Sequence, residues 1–324
     1  MSGQRIELKY LDKLKDFFIE HSLEDFQVIY DNEKYFKDFL DAQTFKFTNS
    51  GTSALFLIMK RLKRYGCQTI WGPAFTHVSW INCAEWLEMD YDFVDVNPST
   101  LSLDPYELQA KIDKGECPDV VIMVDIGGYV GEDTLLVKKI CERYQIELIE
   151  DAAHAFGQSY NGVRAGMYGD FSFYSFSNPK LLTCGEGGAI VSSKHDLDDI
   201  MEEQIYQGGW YKYDKQRRTQ GLNFIMSNMN TQLLRWQLED LEEIQKEWKS
   251  KYNVYLQKTP DLFHFNSDNE HYAPSFFARR LNVIPQMVKD NKMPSLMHAR
   301  YRNMGGSEYK ISETLENQLV YWKL

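Results

Sequence analysis

Lys180 lies in the stretch Phe173-Tyr-Ser-Phe-Ser-Asn-Pro-Lys-Leu-Leu-Thr-Cys-Gly-Glu-Gly-Gly188, one amine with a strand-like run before it and glycines after it. An amine at the edge of a buried strand can be desolvated and held partly neutral, which a Schiff-base nucleophile requires. The chain carries 36 Lys and Arg residues, most of them expected at the surface, so the assignment rests on what accompanies this one. Three further segments do so. Asn49-Ser-Gly-Thr-Ser-Ala-Leu55 sets Gly51 and hydroxyl residues where a helix begins, so free N–H groups and the positive end of the helix dipole face one point that suits a phosphate. Plain N-capping by Ser50 or Thr52 is an equally good account of that segment alone. Ile149-Glu-Asp-Ala-Ala-His154 ends an apolar strand on the carboxylate of Asp151, placed to keep a heteroaromatic ring nitrogen protonated, or simply to cap the next turn. His154 can stack on or hydrogen-bond such a ring, though a lone His is more often structural. Ser175, five residues before Lys180, can add a hydroxyl to the phosphate cup. Gly185, Gly187 and Gly188 permit a tight turn, and Cys184 reads as packing rather than as a nucleophile. Together these parts make a pyridoxal 5'-phosphate (PLP) site.

Other chemistries lack their signatures. There is no Gly-x-x-x-x-Gly-Lys-Ser/Thr loop, no Gly-x-Ser-x-Gly elbow, no His-Glu-x-x-His and no Gly-x-Gly-x-x-Gly after the first strand. A net charge of −11 argues against nucleic acid held by a general basic field, so an anionic ligand must be gripped locally. Five scattered cysteines (Cys67, Cys83, Cys117, Cys141, Cys184) suggest neither a disulfide framework nor a zinc site, and no metal is expected. The N-terminal residues lack a signal core and no apolar run approaches the ~20 residues of a membrane span, so a soluble, cytoplasmic protein is expected.

The elements that must hold these residues alternate. Helical periodicity over 6–20 (Leu8, Leu11, Leu14, Phe17, Phe18) predicts a surface amphipathic helix. Strands are expected at 44–48, 69–71, 91–96, 119–124 and 146–150, with helices at 52–65, 78–88, 105–113 and 135–144 between them. Such alternation implies right-handed crossovers, a mostly parallel sheet covered on both faces, and a ligand site beyond the strands' carboxyl ends. Strand-like, Gly-rich segments follow to 193, then a helix at 196–206, a loop through Gly208-Gly209-Trp210, and one long helix at 230–252. Beyond it, a strand is expected at 275–281 and a helix at 284–291. The fold class expected is a three-layer α/β, with a large PLP-binding domain at 1–240 and a small, shortened C-terminal domain at 241–324.

In order and spacing the segments resemble the DegT or StrS type of sugar-nucleotide aminotransferases, PLP enzymes of fold type I. The resemblance runs from about residue 30 to 250 and is carried by Asn49-Ser-Gly-Thr-Ser-Ala-Leu55, Pro73-Ala-Phe-Thr76, Phe93-Val-Asp-Val-Asn97 with Leu103-Asp-Pro105, Glu150-Asp-Ala-Ala-His154, Lys180 with Gly185-Glu-Gly-Gly188, and Gly221-Leu-Asn-Phe-Ile-Met-Ser227. It implies that Lys180 carries the cofactor as a Schiff base and serves as general base. It also implies that Asp151 binds the pyridine nitrogen, that His154 lies near the ring oxygen, and that Gly51, Thr52, Ser53 and Ser175 hold the phosphate. Asn223 matches a residue that reaches the phosphate from a partner subunit, which implies a homodimer with shared sites. His77 stands where relatives carry an aromatic residue over the ring, Asn178-Pro179 replaces the usual residues before the lysine, and the chain ends near where relatives have a last helix. The activity implied is conversion of a nucleotide-linked keto-deoxysugar to an amino sugar with L-glutamate as donor. The alternatives are a PLP-dependent sugar dehydratase, in which His usually replaces the lysine, and a PLP-binding homologue without catalysis. Tyr211, Lys212 and His298 lie in segments that could face substrate, but each reads more readily as ordinary surface.

Overall fold

Strand β4 (Val120–Val124) explains the architecture best, because all five of its residues are apolar and buried. Its odd and even positions serve different cores: Val120 and Ile122 face one cluster with Ile70, Ile149, Phe171, Phe173 and Ile190, while Val121 and Met123 face another with Phe45, Trp71, Leu148, Tyr174 and Val191. A strand with period-two side chains buried on both faces belongs at the centre of a covered sheet. Fully burying one such Val or Ile side chain contributes about 1.5–3 kcal/mol.

The computed structural model describes residues 8–23, 25–178, 180–209, 218–258, 275–279, 302–303 and 319–323. Among them, β4 is flanked by β1 (Thr44–Thr48), β2 (Thr69–Pro73), β3 (Asp90–Val94), β5 (Glu147–Asp151), β6 (Phe171–Ser175) and β7 (Gly188–Ser192), in the order β1-β7-β6-β5-β4-β2-β3. The five strands from β6 to β3 run parallel, whereas β7 is antiparallel to both β6 and β1. The sheet is thus mostly parallel and mixed, as the alternation of elements implies. Helices α3 (Gly51–Arg64), α4 (Ser79–Trp86) and α7 (Asp198–Ile205) lie with the first cluster. Helices α2 (Phe26–Leu40), α5 (Pro105–Asp113), α6 (Glu132–Tyr144), α8 (Asn228–Glu239) and the start of α9 (Leu241–Lys258) lie with the second. The result is three layers, helix on sheet on helix.

Local chemistry sets several boundaries. The Asp104 carboxylate accepts from the N–H groups of Tyr106 (2.8 Å) and Glu107 (3.4 Å) with Pro105 at the first helical position, so α5 starts where its proline indicates. Helix α2 is absent from the sequence reading, although Val28, Ile29, Phe36 and Leu40 are buried along one side and Asp25 caps its start by accepting from Gln27 N–H. In α1 (Leu8–Glu20) the buried residues are Tyr10 and Phe17, with Leu11 and Phe18 exposed, so the stripe is turned from the one the Leu spacing suggested.

The single helix expected at 230–252 is two helices that meet at Asp240. Its backbone there leaves the helical region (φ −96°, ψ 14°), and its carboxylate accepts from Tyr10 Oη (2.7 Å) and pairs with Lys9 Nζ (3.1 Å). Leu241, Ile244 and Trp248 past this joint remain in the core of the sheet-bearing body. The strand at Ser275–Arg279 pairs with Leu319–Lys323. The expected helix at 284–291 lies outside the described residues, as do Pro179, Trp210, Tyr211, Lys212 and His298. The five cysteines are free thiols, and no helix among the described residues is long and apolar enough to cross a membrane.

Candidate active site

β4, β5 and β6 end side by side, with Val124 opposite Asp151 and Asp151 opposite Phe173, so whatever follows each strand meets at one edge. Asp151 is the last residue of β5 and 7% exposed, and its Oδ1 accepts from Ala153 N–H at 3.0 Å. Burial pushes its carboxyl up to about 6, against the opposing pull of the Ala153 N–H and of the Lys180 ammonium, with Glu150 adding to the rise. The two residues singled out as a chemical pair therefore share one electrostatic environment. His154 is buried, and its Nδ1 accepts from Gly127 N–H at 3.2 Å, which places the proton of the neutral ring on Nε2.

The residues expected to hold a phosphate lie where β1 turns into α3. Ser50 is the N-cap: its Oγ accepts from Ser53 N–H (3.0 Å) and bonds Ser53 Oγ (2.8 Å), while Ser53 Oγ donates to Asn49 Oδ1 (2.6 Å). The capping is done by Ser50 and Ser53, which leaves the first N–H groups of the helix out of the cap. The N–H groups of Gly51 and Thr52, the first two of the helix, take no partner among the described residues and form the positive end of its dipole.

Two close approaches fix this helix end against the sheet. A Cβ on Gly51 would lie 3.1 Å from Ser175 Cβ, and a Cβ on Gly188 would lie 2.4 Å from Gly51 N. Gly188 therefore serves this contact, where the sequence suggested only a turn; the turn freedom belongs to Gly185 (φ +93°). Ser175, at the end of β6, bonds Ser177 Oγ at 3.1 Å, and Lys180 N–H donates to the Ser177 carbonyl at 2.9 Å. Ser177 escaped the sequence reading, although it continues the strand's alternation two positions past Ser175. Lys180 is half-buried. Cys184 donates its thiol to the Glu186 carbonyl, and burial pushes it up to about 12, so it stays a thiol and packs.

The remaining expected residues stand around this edge. His77 follows the short strand Phe75–Thr76 and its Nδ1 accepts from Ser79 N–H at 3.3 Å. That strand pairs antiparallel with Arg302–Asn303, and Ser275–Arg279 lies against the Ile126–Gly128 turn, so segments distant in sequence return to the same edge of the sheet. Asn223 is exposed. The carbonyl of its neighbour Phe224 accepts from Asn49 N–H at 2.8 Å, which brings this segment beside the start of α3 within one chain. Two buried carboxyls without an assigned role in the sequence reading, Asp125 and Glu150, stand directly behind Asp151. The edge thus combines a helix start with N–H groups unpartnered among the described residues, a lysine and a carboxylate within one electrostatic environment, and a tautomerically fixed imidazole. Such a set can hold a phosphorylated, nitrogen-containing ring and move protons beside it.

Comparison with known proteins agrees with that chemistry. A model of the DegT/DnrJ/EryC1/StrS aminotransferase family matches residues 20–301. The chain is similar to GDP-perosamine synthase of Vibrio cholerae, 28% identical over 234 residues (71% of this chain, 62% of that protein). It is also similar to GDP-perosamine synthase of Caulobacter vibrioides, 30% identical over 216 residues (65% of this chain, 56% of that protein). It thus spans about 60% of the length of these curated relatives. In fold it resembles PseC of Helicobacter pylori, an aminotransferase involved in the biosynthesis of pseudoaminic acid, with a TM-score of 0.84 at 17% identity over 99% of this chain and 92% of that one.

Proposed function

The chain belongs to the DegT/DnrJ/EryC1/StrS aminotransferase family, and from that premise we propose that it is an aminotransferase converting a nucleotide-linked keto-deoxysugar to an amino sugar, with L-glutamate as amino donor. Pyridoxal 5'-phosphate is the cofactor of this family. The observation that carries the reading is the buried Asp151 carboxyl, on which the Lys180 ammonium acts, at the edge where α3 begins beside Ser175 with two N–H groups unpartnered among the described residues.

The residues present fit that cofactor. Gly51 N–H, Thr52 N–H and Ser175 Oγ are suited to its phosphate, and Asp151 to a protonated ring nitrogen. When bound, PLP supplies an electron-withdrawing ring that makes the donor's α-hydrogen acidic. The rest is done by the chain. Asp151 keeps the ring nitrogen protonated, which its burial favours once a cation stands opposite. Lys180 would anchor the cofactor covalently, and its amine, when free, would serve as the general base that takes the proton from the donor's Cα. His154, with its proton on Nε2, can donate to the ring oxygen. Asn223 from a partner chain would complete the phosphate site, making the active unit a homodimer.

A half-reaction tests the proposal. Holoprotein given L-glutamate alone should release one equivalent of 2-oxoglutarate per site, with the cofactor absorbance changing to that of the amine form. Bound PLP with no release of 2-oxoglutarate from glutamate or of 2-oxoglutaramate from glutamine would overturn the aminotransferase reading. The presence of Lys180 favours transamination over the dehydratase alternative.

A further inference from the structure

Asp125 directly follows β4, and its N–H donates to the Asp151 carbonyl at 3.0 Å, so Asp125, Glu150 and Asp151 bring three carboxyl groups to two adjoining strand ends. Asp125 is 2% exposed and Glu150 fully buried. Their surroundings differ. Glu150 accepts from the N–H groups of Gly166 (2.5 Å), Tyr168 (2.7 Å) and Gly169 (3.0 Å) and from Ser172 Oγ (3.3 Å). Asp125 lies beside Glu150 across the β4–β5 pairing, and its Oδ2 is buried with no hydrogen-bond partner among the described residues.

Two ionised carboxylates are both acceptors and cannot bond each other, so one of this pair must carry a proton. Four donors on Glu150 favour its charged form, whereas the Asp125 Oδ2 has none among the described residues. The proton therefore belongs to Asp125. The electrostatics point the same way: burial, and then the negative charges of Glu150 and Asp151, push Asp125 well above the ordinary carboxylate range. The other groups facing the pair do not reverse this. Tyr168 and Tyr174 are held as neutral phenols chiefly by burial, His154 Nδ1 is engaged by Gly127 N–H, and the Lys180 ammonium acts on Asp151.

We propose that Asp125 is a positioning residue that retains its proton and donates it to Glu150, so that Asp151 is the carboxylate whose charge is available to the site. The proposal rests on the reading of Asp151 as the partner of a cofactor ring nitrogen. With the Asp125 proton and four further donors gathered on Glu150, the charge at the end of β5 is divided: one carboxylate is spent on the 166–172 turn and strand, and the other faces Lys180. An ionised Asp125 would add a second, undirected negative charge behind Asp151.

The test needs no turnover. Cofactor-free protein carrying 13C-labelled aspartate is examined by infrared spectroscopy near pH 8, above the value of about 6 at which Asp151 titrates. A protonated aspartic C=O band that shifts with the label is expected in the wild type and in Asp151→Asn, and its loss is expected in Asp125→Asn. In the holoprotein, Asp125→Asn should move the pH midpoint of the cofactor absorbance by less than about 0.3 unit, since an amide replaces a neutral acid; removing a real charge at that range would lower the midpoint by about a unit or more. No labelled acid band in the wild type, or a band that survives Asp125→Asn, overturns the proposal. If Asp125→Asn does not fold, a band lost in Asp151→Asn still overturns the proposal, because it would place the proton on Asp151. The infrared measurement is independent of PLP, so failure of the cofactor reading would appear as absent PLP binding and failure of this proposal as an absent acid band.

Discussion

Two buried charged clusters in this fold are built in opposite ways. At the β1 side of the sheet, Lys46 Nζ pairs with Glu33 (2.7 Å) and Glu202 (3.3 Å), Glu33 also accepts from Phe47 N–H (3.0 Å), and Tyr30 Oη donates to Glu202 (3.1 Å). These bonds tie α2, β1 and α7 together. At the C-terminal ends of β4 and β5, three carboxyls gather with the ammonium of Lys180 as the cation acting on Asp151. Compensated in place, buried charge fastens elements to one another. Left short of cations, it stores an affinity for a positively charged ligand group, and the deficit marks the site.

The comparison breaks most easily at Asp151. Asp151→Asn should lower the rate of amine transfer by about 10³-fold or more, since the ring nitrogen loses its counter-charge. In the cofactor-free protein the same substitution should stabilise. Burial holds Asp151 at about 6 in the folded state against an ordinary 3.8, so the group's contribution to stability is present below about pH 4 and is lost as pH rises through 6. Urea titrations should therefore find Asp151→Asn more stable than wild type by roughly 1–3 kcal/mol at pH 8 and little different near pH 4. Equal stability at both values would remove the idea of a stored deficit.

At the compensated cluster the effects should reverse. Lys46→Met leaves Glu33 and Glu202 buried without a cation and should cost about 3–5 kcal/mol of folding stability. Cofactor absorbance and affinity of the folded fraction should be unaltered, because this cluster does not touch the site. A change in the bound-cofactor spectrum would show that the two clusters are coupled.

Gly188→Ala sharpens the comparison between the cup and its support. Its Cβ would sit 2.4 Å from Gly51 N, so α3 must shift. Stability should fall by about 1–3 kcal/mol, and the affinity for PLP, measured by fluorescence quenching, should fall in parallel. Loss of stability with unchanged affinity would detach Gly51 and Thr52 from phosphate binding. The smallest effect is expected at Cys184: Cys184→Ser should change the half-reaction rate less than about twofold, as a packed thiol without thiolate character predicts.

What the sequence made legible was local. The apolar run ending at Asp151, the glycine-started helix at Gly51 and the capped start at Pro105 each carry their signal within a few residues. Asp125 and Glu150 were not legible as a pair, because their relation depends on β4 lying beside β5 and on the 166–172 segment folding back to donate three N–H groups. Gly188 read as a turn residue because its requirement is a contact with the Ser50–Gly51 peptide, reached only when β7 pairs antiparallel with β1. Helix α2 carries charged residues among its apolar ones. Glu33 in particular looks solvent-facing until its pairing with Lys46 is known.

The central claim is that Lys180 is where the cofactor is attached. Protein equilibrated with PLP, reduced with borohydride and digested should yield one pyridoxyl-modified peptide, with the label on Lys180, and Lys180→Ala should yield none. A label on another lysine, or equal labelling of the variant, would contradict the account.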